Sequence, residues 1–160
     1  MSRKIGAPRM NVMLHGFLTL VTAGVFVPIW FSWVRQWLDT LVPGMRIPCW
    51  APGVSLALSL MAVATGLLAL MPFEPFMLLT FELVAAMCLL GLANGAVITV
   101  MAMRTREILM LYSEEHMPIV YDVTTEWTIG MTSQQLQHHI NTMTLIDEWE
   151  PRQQVSEVGV

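Results

Sequence analysis

The side chains of this sequence with chemistry to offer are few: His15, His116, His138, His139, Cys49, Cys88, Glu82 and Asn94. His15 lies in the apolar run "MNVMLHGFLTLVTAGVFVPIWFSWV", residues 10–34. An imidazole in such a run can ligate haem iron or the magnesium of a chlorophyll-type pigment through one ring nitrogen. Its commoner role near an interface is a hydrogen bond, or reaching for water. His138 and His139 are adjacent, and adjacent residues on a helix point ~100° apart, so they do not share a metal. There is no Walker loop, no G-x-G-x-x-G, no H-E-x-x-H, no C-x-x-C and no nucleophile elbow. Cys49 and Cys88 form no motif; a thiol inside an apolar run, as at Cys88, acts as a small hydrophobe. The expectation is a non-catalytic protein, with His15 as the one candidate cofactor ligand and no metal site.

The elements that carry these residues belong to a membrane. Of 160 residues, 55% are hydrophobic and 12% charged, where a soluble domain has ~25% charged. Residues 1–106 hold seven of the eight Lys and Arg; residues 107–160 hold Arg152 against nine acidic residues. This divides the chain into a membrane domain, 1–106, and an acidic extramembrane tail, 107–160. No basic stripe is present for nucleic acid. Three apolar runs, about 10–34, 53–71 and 76–103, approach or exceed the ~20 residues that cross a bilayer. The expected fold is therefore an all-α, multi-pass integral membrane protein with three transmembrane helices.

The second and third runs form a tight hairpin on this reading. "PFEP", residues 72–75, is its turn: Pro72 stops one helix, Pro75 starts the next, and Glu74 faces water between Phe73 and Phe76. Ser59, Ala62, Gly66 and Ala69 on the second run, with Gly91, Asn94 and Gly95 on the third, offer small surfaces for close helix packing, and Asn94 an interhelical hydrogen bond. Glu82 lies close enough to the turn to reach the interface. With three spans, Lys and Arg divide three against four across the membrane and set no orientation. The alternative is a re-entrant first run, broken near Gly24 and Pro28, which puts all seven on one side.

Residues 35–52 hold Trp37 and Trp50 after Trp30 and Trp33, an interfacial aromatic belt or a partner-docking surface. Beyond Arg106, "EILMLYSEEHM" extends the third helix with Ile108, Leu109 and Tyr112 on one face. "PIVYDVTTEWTIG" reads as an extended arm. Leu136, Ile140 and Met143 then form the stripe of a short amphipathic helix ended by Pro151. That stripe docks on the chain itself or on a partner.

Together these residues point to an accessory subunit of a larger membrane complex. Its partners are the lipid bilayer and other membrane subunits or further copies of itself. A self-assembling, holin-like pore is the second reading; a His15-ligated haem or pigment protein is the third.

Overall fold

The first apolar run turns in the middle. The computed structural model describes residues 9–42, 44–70, 80–116 and 132–157, and gives this run two helices, α1 (Val12–Val21) and α2 (Phe26–Leu38). Asn11 caps α1 by accepting the Met13 N–H at 2.8 Å, which satisfies a donor the first turn leaves open. The exit is a Schellman turn. Gly24 N–H donates to the Thr19 carbonyl at 2.8 Å and Ala23 N–H to the Leu20 carbonyl at 3.1 Å, the bond pair that closes a helix through a left-handed residue. Ala23 and Gly24 have φ of 49° and 85°. Thr22 Oγ1 donates to the Leu18 carbonyl at 2.7 Å and accepts the Phe26 N–H at 3.0 Å, so one threonine ends α1 and starts α2. Pro28 is the third residue of α2, where its missing N–H costs nothing.

The single span expected over 10–34 is therefore two helices of 10 and 13 residues. These are about 15 and 20 Å long, against ~30 Å of bilayer hydrocarbon.

Three more helices follow: α3 (Ala51–Ala69), α4 (Thr80–His116) and α5 (Thr132–Glu157). Among the described residues there are five helices and no strand. The "PFEP" turn with Glu74, and the arm expected over 118–130, lie outside the described residues. The 37 residues of α4 run about 55 Å, so the third apolar run continues as one helix through "EILMLYSEEH". α5 passes through Pro151 rather than ending there; proline removes one N–H, and the helix continues past that gap.

Among the described residues, two helices are long and apolar enough to cross a membrane, α3 and α4. Their apolar surface is not spent on a core. In the most apolar 18 residues, 22% of α3 and none of α4 is buried.

The core lies where α3 begins and α4 leaves its apolar part. Trp30, Phe31, Val34 and Leu38 of α2 meet Ile47, Ala51, Met101, Ala102, Ile108 and Leu109 there. Leu136, Ile140 and Met143 of α5 belong to the same cluster. α5 is 26 residues with three large apolar side chains on one stripe. Each such side chain contributes roughly 1.5–3 kcal/mol when fully buried, and α2 and α4 supply the surface that a small segment cannot build alone.

Candidate functional site

Two polar seams hold the molecule together. The first joins α3 to α4. Ser55 Oγ donates to Asn94 Oδ1 at 2.6 Å, and Asn94 Nδ2 donates to Ser59 Oγ at 2.8 Å. Ser55 and Ser59 are one turn apart on α3 and both buried, so one amide bridges two hydroxyls. An interhelical bond of this kind contributes ~0.6 kcal/mol on average in membrane proteins. On α4 the half-buried positions Leu83, Ala86, Met87, Leu90, Asn94 and Val97 recur at three- and four-residue spacing, which defines the stripe facing α3. Of the small residues on α3, Gly66 meets this stripe: a Cβ there would lie 3.1 Å from Met87 Sδ. Ala62 is half-buried on the same helix.

Gly91 and Gly95 lie off this seam. Both are exposed, and a Cβ added at either meets nothing within 4 Å. The close approach expected of them within the hairpin is not made, because the α4 face is set by Asn94 and the large residues flanking it. Glu82 is exposed in the first turn of α4.

The second seam ties α5 to α1 and α2. Trp30 Nε1–H donates to Gln137 Oε1 at 2.6 Å; Gln137 Nε2 donates to Asn141 Oδ1 at 2.8 Å; Asn141 Nδ2 donates to the Met10 carbonyl at 2.8 Å. Gly16 lets α1 approach, since a Cβ there would stand 2.7 Å from Gln134 Nε2. Sequence reasoning missed Gln137 and Asn141 in this chain of bonds, although Ser133, Gln137 and Asn141 recur every four residues beside the apolar stripe. That spacing is the signal that could have found them.

His15 is sealed beside this seam. It is 0% exposed, with Phe26 and Trp30 edge-on at centroid distances of 5.3 and 5.2 Å. Neither ring nitrogen has a hydrogen-bond partner, and burial pushes its pKa down to about 4. A neutral imidazole with free nitrogens has the right donor chemistry for haem or a pigment. The enclosure does not fit one: His15 is fully buried, so a macrocycle could bind only by displacing the side chains around it. On α5, burial and then the neighbouring His138 lower the pKa of His139. Among the described residues, no group of three or more His, Cys, Asp or Glu comes together as a metal site. Cys49 and Cys88 are free thiols, both exposed.

The residues expected to meet a partner are divided by burial. Trp37, Leu136, Ile140 and Met143 lie in the chain's own core, while Trp50 is 58% exposed. The stripe on α5 is thus covered intramolecularly. The aromatic belt is divided in the same way: Trp30 and Trp37 point inward, Trp33 and Trp50 outward. No protein-family model, curated protein or solved structure matches this chain.

Proposed function

We propose that this chain is a non-catalytic integral membrane subunit. Its α3–α4 hairpin crosses the bilayer twice and carries a helical body on one membrane face, beside other membrane subunits. The observation that supports this is the unburied apolar length of α4, together with the use of Ser55, Ser59, Asn94, Trp30 and Gln137 in hydrogen bonds between helices. A soluble protein would bury such a helix. With α3 and α4 as the only spans, Arg3, Lys4, Arg9, Arg35, Arg46, Arg104 and Arg106 all fall on one side, and residues 71–79 between the helices carry no Lys or Arg. The positive-inside rule makes the basic side cytoplasmic. The body made by α1, α2, α5 and the end of α4 is then cytoplasmic too.

The test is extraction in mild detergent at native expression level, followed by particle mass and composition. An accessory subunit yields a particle with a second polypeptide at fixed stoichiometry. A monomer alone in its micelle contradicts the reading. A homo-oligomer supports instead the self-assembling reading, which the exposed Gly91 and Gly95 on α4 favour: small residues on a lipid-facing stripe allow a second copy to approach.

A further inference from the structure

We propose that α1 is an in-plane membrane helix that seats the cytoplasmic body on the lipid surface; this rests on the membrane reading above. Met13, Leu14, Phe17, Leu20 and Val21 recur at helical spacing on α1, and all are exposed, Met13 at 85% and Leu20 at 81%. The opposite side packs on α2 through His15 and on α5 through Gly16, which faces Gln134. An apolar stripe this complete on an outer face belongs against something apolar. The helix has 10 residues, about 15 Å of length, so it cannot cross a bilayer. Lying flat, it can bury its stripe ~5–10 Å into the boundary between headgroups and acyl chains.

Charge selects lipid over a second copy of the chain. Arg3, Lys4 and Arg9 immediately precede the helix, and no acidic residue occurs before Asp39. A basic lead-in attracts anionic headgroups and would repel the same segment of another copy. Ile29 and Trp33 of α2, and Trp50 and Val54 at the start of α3, are exposed as well. Tryptophans suit headgroup depth because one end of the indole is apolar and the other polar. α5 packs on the far side of α1, with Gln134 against Gly16.

The test uses the full chain with Cys49→Ser and Cys88→Ser, reconstituted in vesicles of phosphatidylcholine and phosphatidylglycerol. A polarity-sensitive fluorophore is attached at Leu20→Cys, with Leu89→Cys on α4 and Glu114→Cys as bilayer and water references. The expected result is that the Leu20 label loses most of its emission to a quencher near the lipid headgroup, less to one near the chain ends, and little to aqueous iodide. The Leu89 label should show the deep pattern. Iodide quenching at Leu20 equal to that at Glu114 overturns the proposal. So does protection from both quenchers, which means that protein covers the stripe. If the Leu89 label also escapes the lipid quenchers, the membrane reading fails and α1's role with it; if Leu89 is lipid-quenched and Leu20 is not, only the role of α1 fails.

Discussion

Asn94 and His15 are two polar side chains inside apolar surroundings, and they differ in one respect: Asn94 has partners and His15 has none. Replacing Asn94 by Leu removes both bonds and leaves buried Ser55 without its acceptor and buried Ser59 without its donor. The expected loss is ~1–2 kcal/mol of hairpin stability, at the upper end of such bonds, read as a lower thermal midpoint in detergent; an unchanged midpoint would show that the serines do not depend on it. His15 behaves in the opposite way. Its folded pKa is depressed from 6.5 to about 4, so the folded state holds it neutral while the unfolded chain takes up a proton below 6.5. Stability is therefore full above that pH and falls as the pH drops toward 4. A shift of this size is linked to ~3 kcal/mol. His15→Leu should remove this contribution to acid sensitivity and leave stability at neutral pH unchanged or improved, because no hydrogen bond is lost. Thermal melts of both proteins across this range check it, and parallel pH profiles would contradict it. The turn after α1 gives a third residue-scale expectation. Ala23 holds a positive φ, which costs an alanine roughly 1 kcal/mol and a glycine almost nothing. Ala23→Gly should raise the thermal midpoint and Gly24→Val lower it.

At the scale of elements, α5 shows what periodicity can and cannot tell. The spacing of Leu136, Ile140 and Met143 marked an amphipathic helix, and the helix is there; what covers its stripe was not legible, since a partner groove and the chain's own α2 and α4 demand the same pattern. The apolar lengths of α3 and α4 were legible because a long run of uncharged, apolar residues is a signal that composition displays directly. The first run was harder. Its composition satisfies a single span, and the alternative of a break near Gly24 and Pro28 carried the position of the turn through Gly24; the Thr22 hydrogen bonds and the left-handed Ala23 that complete it are not displayed by composition. Gly91-x-x-x-Gly95 shows the reverse failure, a motif present without the intramolecular contact it advertised, because Asn94 and its large neighbours turn the helix. Two expectations follow. Gly91→Leu with Gly95→Leu should leave the unfolding temperature of the isolated chain unchanged, since both positions are open. Leu136→Asp with Ile140→Asp should release α5 to protease while α3 and α4 stay in the membrane fraction, because two charges cannot remain buried unpaired in that core. If α5 then stays resistant, it is held by something other than its stripe.

For the whole molecule, the decisive quantity is the number of crossings. Three spans put the N-terminus on the same side as Glu74, opposite Cys49. Two spans, with α1 and α2 outside the hydrocarbon, put the N-terminus on the side of Cys49, opposite Glu74. A side-resolved thiol reaction separates them. In sealed vesicles of known orientation, an impermeant maleimide is applied to the chain with its native Cys49, and separately to Ser2→Cys and Glu74→Cys in a background of Cys49→Ser and Cys88→Ser. Two crossings predict that Ser2→Cys and Cys49 react from the cytoplasmic face and Glu74→Cys only from the other. Reaction of Ser2→Cys from the same face as Glu74→Cys would contradict the two-span hairpin and restore a third crossing.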